Sequence, residues 1–191
     1  MTEAVVLATP RLRLREYADD DFAAVHAYAS DPDVSRYMRW GPNREDDTRA
    51  FLRRSAAHRG ERPRRDFELA ITLGADDRLI GGCGLHVAEP EHRSAFIGYV
   101  LHRSHWGRGY ASEAARALLA FGFERLALHR IYAVCDPANA TSAHVLEKLG
   151  MRQEGHLREH RWEKGRWVDE LLYAVLEREW RSKPDDTMSV S

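Results

Sequence analysis

The sequence predicts one mixed α/β domain, in which helices pack on a sheet. Segments of alternating or compact apolar character, typical of strands, are interspersed with segments of helical periodicity. The predicted order is strand, two helices, three strands, helix, strand, helix and two strands, which fits neither an all-helical fold nor a sandwich. The 191 residues, 43% apolar and 31% charged, are enough for one well-buried core. We place the domain at residues 9–181 and expect a polar, frayed tail at 182–191.

The first three elements are a strand and two helices. Leucines alternate with arginines over 11–15, which is the period of a half-buried strand. Three aspartates at 19–21 can cap a helix and occupy its first turn, where carboxylates are favoured. A Gly-Pro-Asn break at 41–43 separates this helix from a second one at 45–58, whose few apolar residues predict a surface position.

A β-hairpin follows, formed by apolar segments at 67–73 and 78–85 with a turn between them. Its second strand contains Gly81, Gly82 and Gly84. Because glycine inside a strand indicates a bulge or the close approach of another backbone, we expect one of these features here.

In the second half of the chain, strands and helices alternate before a final pair of strands. One face of the helix after Gly109 carries mostly small residues, which allows close packing on a sheet. This small-residue face consists of Ala111, Ala114, Ala115, Leu118 and Gly122. The segments in order are a strand at 95–101, this helix, a strand at 130–135, a helix from Asn139 with Gly150 as its C-terminal cap, and strands at 151–159 and 167–176.

The charge balance excludes several classes of partner. The 29 basic and 30 acidic residues give a formal net charge of -1, so no overall field attracts nucleic acid or anionic lipid. No apolar run is long enough to span a membrane. We therefore expect a protein that binds no membrane and does not bind nucleic acid directly.

Cysteine and histidine contents point to a cytoplasmic protein without a metal. Cys83 and Cys135 are too few for a disulfide scaffold and lie in predicted strands, which favours core positions in a reducing cytoplasm. The ten histidines show no recognised metal-ligand spacing, so we expect no metal site.

The segment from Trp106 to Ser112 lies between a predicted strand and a predicted helix and carries two glycines, Gly107 and Gly109. At such a helix start, unpaired amides and the positive end of the dipole attract anions, and glycines let a phosphate approach the backbone. A tight turn without a ligand explains the glycines equally well. A Walker loop is excluded because the segment has no lysine, whereas a dinucleotide fingerprint, Gly107-x-Gly109-x-x-Ser112, is an alternative.

Four segments occur in a characteristic order: 97–100 (IGYV), 106–114 (WGRGYASEA), 139–142 (NATS) and 146–151 (LEKLGM). Together they resemble the GNAT acyl-CoA-dependent N-acetyltransferases, in particular the RimJ/RimL-like branch that includes ribosomal-protein N-terminal alanine acetyltransferases. The resemblance extends over about 9–180. It implies the GNAT fold, with a central mixed, mostly antiparallel sheet that is splayed at the acyl-CoA site and flanked by helices.

The resemblance implies acetyl-CoA as the acyl donor. The glycine loop would hold the pyrophosphate through backbone amides, since Trp106 stands where the family has Gln or Arg. The pantetheine arm would lie between the strands at 97–101 and 130–135, where an amide at the end of the first strand would stabilise the oxyanion. Asn139, which also suits a helix N-cap, would hold the pantetheine. The implied donor-binding residues are Tyr99, Val100, Leu101, Trp106, Gly107, Arg108, Gly109, Tyr110, Ala111, Ser112 and Asn139.

The resemblance also implies two proton-transfer residues for an amine that attacks a thioester. Many GNAT enzymes carry a tyrosine general acid before a Glu-Lys-Leu-Gly segment, but Leu146 stands there. Ser142 is the substitute in this branch, although a serine in the first turn of a helix can simply bond to the backbone. Glu159, at the end of the segment 154–159, is the implied base, acting directly or through water; a solvated carboxylate is the structural alternative.

The implied acceptor is a primary amine. The branch favours a protein N-terminal α-amine, and a small-molecule amine such as an amino acid or an aminoglycoside is the alternative enzyme substrate. A non-catalytic acyl-CoA sensor is a further alternative, because the family's tyrosine is absent. The basic loop at 59–65 is either a solvated connection or a contact for the CoA 3′-phosphate or an acidic acceptor. Pairing of exposed C-terminal strands could give a homodimer.

Overall fold

The computed structural model describes residues 4–182. They form one eight-stranded sheet in the order β1-β2-β3-β4-β5-β6-β8-β7, in which only the β5–β6 pair is parallel. The predicted mixed, mostly antiparallel sheet is confirmed. The strands are β1 (Val6–Ala8), β2 (Leu12–Glu16), β3 (Asp66–Leu73), β4 (Leu79–Glu89), β5 (Ser94–Leu101), β6 (Arg130–Cys135), β7 (Arg152–Glu163) and β8 (Arg166–Leu176). The α-helices of this part of the chain are α1 (Phe22–Ala29), α2 (Pro32–Ser35), α3 (Glu45–His58), α4 (Tyr110–Ala120), α5 (Ala140–Lys148) and α6 (Glu177–Arg181).

Most elements lie where the sequence predicts them. Both α3 and β6 have the predicted bounds, and the other predicted elements are present with shifted ends. Three elements, β1, α2 and α6, were not predicted, because they are three to five residues long and too short to show a period. Among the described residues, no helix combines the length and the apolar character needed to cross a membrane. The predicted tail lies outside the described residues, apart from its first residue, Ser182.

The larger part of the core lies between the sheet and α4 and α5. Ala114 and Ala115 of α4 are fully buried. Beyond the end of α4, a Cβ on Gly122 would stand only 2.6 Å from Cδ1 of Ile131. The small-residue face therefore brings the helix close to the sheet, as predicted. A smaller cluster around Tyr28 packs α1 on the opposite face. We call these two sides of the sheet the α5 face and the α1 face.

The glycine-rich strand β4 runs very close to β5. A Cβ on Gly81 would lie 2.2 Å from the carbonyl oxygen of Val100, so the close approach predicted from the sequence is confirmed. Cys83 in the same strand is buried, and so is Cys135 in β6. Burial raises the pKa of the Cys135 thiol to about 11, which suits a core residue rather than a nucleophile.

The sheet opens between β5 and β6. Only 94–96 pair with 130–132, although β5 continues to Leu101 and β6 continues to Cys135. The residues 97–101 therefore face a gap on the β6 side. This gap is the splay that the resemblance implies at the acyl-CoA site.

The basic loop at 59–65 is in part a structural connection. Arg64 forms an ion pair of 2.8 Å with Glu16, and its guanidinium packs over the ring of Phe67. No group of three or more His, Cys, Asp or Glu side chains within residues 4–182 is arranged to hold a metal ion.

Candidate functional site

The loop after β5 leads directly into α4 and leaves the first amides of that helix unpaired. Gly107 and Gly109 have φ angles of +71° and +78°, which L side chains rarely adopt, so the turn requires glycine. The amide of Glu113 is the first that pairs, over 3.1 Å to the Gly109 carbonyl. The amides of 110–112 find no acceptor in the described part of the chain. Together with the helix dipole, these three amides form an anion cradle suited to a phosphate.

Arg11, which directly precedes β2, binds to both sides of the anion cradle, and we call its contacts with Arg108 and Glu113 the Arg11 clamp. Its Nη1 donates to the Arg108 carbonyl over 2.9 Å, and its Nη2 lies 2.6 Å from the Glu113 carboxylate. Its guanidinium also stands 4.7 Å from the centre of the Tyr110 ring. Thr9 donates its hydroxyl to the same carboxylate over 2.6 Å. No pattern in the sequence predicts this contact, because Arg11 and Arg108 are 97 residues apart and only the fold brings them together.

The Arg11 clamp on the Glu113 carboxylate predicts that part of the free energy of unfolding depends on pH. Burial alone would raise the pKa of Glu113, but hydrogen bonds from Thr9 and Arg11 outweigh it and lower the pKa. A folded-state pKa below the unfolded value means that the stabilisation is complete above the ordinary carboxyl pKa of about 4.3 and is lost as the pH falls through the lowered value. We expect Glu113→Gln to decrease the free energy of unfolding by about 1 kcal/mol at pH 7 and by less at pH 3.5. Urea denaturation of both proteins at the two pH values measures this, and an equal difference at both would contradict it.

Trp106 ties the loop to the end of β5. Its indole Nε1 donates to the carbonyl of Leu101 over 2.9 Å, while 49% of the residue is exposed. The indole N–H is therefore used within the protein. This agrees with the expectation that the loop binds through its backbone rather than through this side chain.

The hydrogen-bond alternation of β5 decides which of its backbone groups face the gap. The amide of His102 donates to the carbonyl of Ile80, so Val100, two residues earlier, also directs its amide and carbonyl towards β4. The amides of Tyr99 and Leu101 point the other way, into the gap. The Leu101 amide is therefore placed at the open edge, where a thioester carbonyl could accept a hydrogen bond.

Three of the predicted site residues meet on the α5 face beside this edge. The Asn139 side chain accepts from the Ser142 amide over 3.1 Å, so the N-cap role left open by the sequence is real. The hydroxyl oxygens of Ser142 and Tyr99 are 3.1 Å apart. Burial raises the pKa of Tyr99 to about 12, although its hydrogen bond with Ser142 opposes the rise. The two hydroxyls form a short chain that can pass a proton.

Glu159 is not part of this group. It lies exposed in a bulge, where 157–161 of β7 oppose only 168–170 of β8. Its φ is +47°, and its amide donates to the Asp169 carboxylate over 2.8 Å. The structure places the Glu159 side chain in no hydrogen bond or ion pair with the rest of residues 4–182. The role of Glu159 as the base therefore stays a prediction, because no contact joins its side chain to Ser142 or Tyr99.

A buried carboxylate on the α1 face was missed by sequence analysis. Glu170 of β8 is 7% exposed and accepts from Arg39 over 2.9 Å, and its other oxygen lies 2.6 Å from Nδ1 of His160. The guanidinium of Arg39 also stands 5.5 Å from the centre of the Phe96 ring in β5. The one signal in the sequence is an acidic residue directly before the apolar run at 171–176, which by itself does not reveal its partners.

Comparisons with known proteins place this geometry in a family. Residues 11–152 match the family described as "Acetyltransferase (GNAT) domain". The uncharacterized N-acetyltransferase YnaD of Bacillus subtilis is 37% identical over 174 residues, which are 91% of this chain and 98% of that protein. A GNAT-family acetyltransferase from Bacillus anthracis has a crystal structure with a TM-score of 0.82 at 36% identity, covering 92% of this chain and all of that one (100%). The structure of spermidine N-acetyltransferase from Vibrio cholerae in complex with CoA and spermine gives 0.79 at 25% identity, with coverages of 91% and 100%.

Proposed function

Because the chain belongs to the GNAT acetyltransferase family and is an acetyl-CoA-dependent N-acetyltransferase, we propose that its acceptor is the α-amine of a protein N-terminus. The observation that carries this choice is that two carboxylates of the α1 face, Glu163 and Glu170, are already paired with arginines. Glu170 is held by Arg39, and Glu163 lies 2.7 Å from Arg161. A polyamine carries several cationic nitrogens that need unpaired carboxylates, whereas a chain terminus brings one amine. The resemblance of the segment 154–159 to the N-terminal acetyltransferase branch supports the same choice.

The donor would bind along the gap and the anion cradle. We assign the pyrophosphate to the amides of 107–112 and the pantetheine arm to the open edge of β5, where it would pair like an added strand. The Leu101 amide would stabilise the oxyanion, and Asn139 would contact the pantetheine besides capping α5. The proposed donor-binding residues are those implied by the resemblance, together with Arg11.

The acceptor class is tested by thiol release from acetyl-CoA. The panel contains an alanine-initiated hexapeptide, free alanine, an aminoglycoside and spermidine, the last because the Vibrio cholerae relative acts on it. We expect the peptide to give the highest kcat/KM. Faster release with spermidine or another small amine would overturn the proposed acceptor. If none of the four amines causes thiol release, both the proposed acceptor and acetyl transfer itself are overturned.

Ser142 is proposed as the general acid that protonates the departing thiolate. Its hydroxyl meets the Tyr99 hydroxyl beside the gap, and Tyr99 can pass a proton to it. We expect Ser142→Ala to lower kcat by between about tenfold and 100-fold, since a thiol with a pKa near 8.5 leaves without much help. The KM for acetyl-CoA should stay unchanged because this hydroxyl lies outside the anion cradle. Thr141→Ala removes the neighbouring exposed hydroxyl and serves as the control, and an unchanged kcat for Ser142→Ala would contradict the assignment.

The remaining assignments follow the sequence. We propose a single domain over 9–181 and a cytoplasmic location, in keeping with the two free cysteines. The long edge strand β7 is open on one side and could pair with a second copy of the chain. For the base, the resemblance supplies Glu159 as a candidate that would act directly or through water.

A further inference from the structure

We propose that His160, held by Glu170, is the base that takes the proton from the attacking amine. The inference rests on the proposed N-acetyltransferase function and assigns the base to a residue that the family resemblance does not indicate. Four features of the structure support it. The imidazole of His160 is fixed by a hydrogen bond, and a bulge turns this side chain to the α1 face. The His160 side chain also lies at the level of the open edge of β5 and on the opposite face of the sheet from Ser142.

The imidazole of His160 is held by one nitrogen and open at the other. Its Nδ1 lies 2.6 Å from the Glu170 carboxylate, which is acceptor-only when ionised, so Nδ1 donates and Nε2 keeps its lone pair. The second carboxylate oxygen is held by Arg39, which fixes Glu170 in turn. Within residues 4–182, Nε2 has no hydrogen-bond partner, and 48% of the His160 side chain is exposed. This nitrogen can therefore receive a proton from a ligand.

The bulge in β7 explains why His160, and not Glu159, faces Glu170. Leu157 pairs with Glu170 and Arg161 pairs with Val168, so four steps along β7 match two steps along β8. In a regular strand, alternation would put residue 159 on the face of Glu170 and residue 160 on the other face. The left-handed backbone at Glu159, with φ of +47°, breaks this alternation. Bulges of this kind redirect side chains and are common beside active sites.

The strand registers place Glu170 at the level of the open edge. The last β5–β6 pair is Phe96 with Tyr132, so Val100 of β5 lies at the level of residue 136. Val134 of β6 pairs with Leu172 of β8, so Glu170 also lies at the level of residue 136. The His160–Glu170 pair is therefore level with the end of β5, where the Leu101 amide faces the gap.

The acid and the base lie on opposite faces of the sheet. Tyr99 packs with the core of the α5 face, where Ser142 meets it, whereas Val100 packs with the cluster on the α1 face. Alternation along β8 puts Glu170 on the α1 face, since Leu171 packs on the α5 side. The leaving sulfur and the incoming nitrogen can thus each use a separate proton-transfer group.

The proton balance of the step is simple. The α-amine, with a pKa of about 8, arrives largely as the ammonium ion, and His160 Nε2 takes one proton from it. The freed nitrogen lone pair forms the C–N bond and the C–S bond breaks, while the thiolate takes a proton from the Ser142 hydroxyl. The nitrogen releases its second proton to water as the amide forms, and Ser142 regains a proton from water through the Tyr99 hydroxyl. The imidazolium is stabilised by Glu170 until it returns its proton to water.

The test compares His160→Gln with His156→Gln. His156 is a matched control, because it lies on the same strand, is equally exposed at 48%, and pairs with a carboxylate, Asp169, over 2.7 Å. With the alanine-initiated hexapeptide as acceptor, or spermidine if the panel selects it, we expect His160→Gln to lower kcat/KM at least about 100-fold at pH 7. The loss should shrink towards pH 9, where more of the amine is already neutral. His156→Gln should keep the wild-type value, and CoA affinity should be the same in all three proteins.

Two further variants make the assignment falsifiable. Added imidazole should restore activity to His160→Ala, and Glu170→Gln should shift the acidic limb of the pH profile, as expected for a positioning residue. The other charged groups linked to Glu170 are Arg39 and Arg161, and both also lie near Glu163. Glu159 precedes His160 in the chain. The proposal is wrong if His160→Gln keeps full activity, if its loss is the same at every pH and imidazole does not reduce it, or if only Glu159→Gln loses activity. A wild-type chain that transfers no acetyl group would instead refute the proposed function.

Discussion

Replacing Gly109 with valine is expected to weaken CoA binding on the order of 100-fold, about 2.7 kcal/mol. Gly109 is the N-cap of α4 and has a φ of +78°. An L residue adopts this backbone conformation only at a cost of about 1–2 kcal/mol, and the cost is higher for a β-branched residue. Relief of that strain would turn the amides of the anion cradle away from the pyrophosphate. The added Cβ would also stand 3.4 Å from Nη2 of Arg11, which holds the Glu113 carboxylate. Calorimetric titration of CoA into the variant measures the change in Kd.

The control for this experiment is Gly165→Val. Gly165 has the same φ of +78° and lies in the turn between β7 and β8, where nothing stands within 4 Å of an added Cβ. The backbone strain is therefore matched, but the anion cradle is untouched. We expect this variant to bind CoA like the wild type. Equal losses in both variants, or none in Gly109→Val, would contradict the assignment of the pyrophosphate to this loop.

Replacing Gly81 with alanine is expected to lower the free energy of unfolding by about 3 kcal/mol or more. The new Cβ would lie 2.2 Å from the Val100 carbonyl oxygen and 2.9 Å from the Leu101 Cα, both backbone atoms that cannot rotate away. The β4–β5 pair would have to separate at the end that borders the gap. Urea denaturation measures the loss of stability.

Gly155→Ala is the matched substitution for Gly81→Ala. Gly155 also lies inside a strand, β7, but its added Cβ would only make ordinary contact with Leu157 at 3.8 Å. We expect a change of less than about 1 kcal/mol there. Similar values for the two variants would show that β4 and β5 can adjust, and would remove the close approach as a reason for the glycine.

The sequence predicted those elements whose pattern is local. Helix α3 and strand β6 have the expected bounds because their composition changes sharply at both ends. Strand β7 was predicted to end at 159 but continues to Glu163, because its pairing with β8 resumes beyond the bulge at 157–161. The three short elements were missed because tertiary packing, not periodicity, makes them regular.

The same distinction applies to the candidate site. The glycine loop could be predicted because a strand, two glycines and a helix start are adjacent in the chain. The clamp by Arg11 and the bond between Arg39 and Glu170 join residues 97 and 131 positions apart, which no pattern in one sequence reveals. Ser142 and Asn139 came from resemblance, and only the structure showed that the Ser142 hydroxyl meets Tyr99.

The narrow contact between β5 and β6 gives the molecule a mechanical property. Three residue pairs join the five strands β1 to β5 to the three strands β6 to β8. In the described part of the chain the hydrogen-bonded sheet is therefore continuous only at the start of β5 and β6. A pantetheine chain lying in the gap would bridge these two parts of the sheet along the unpaired ends of β5 and β6. Binding of the donor in this gap would then also stiffen the sheet, and the acceptor would meet a rigid surface once the thioester is in place.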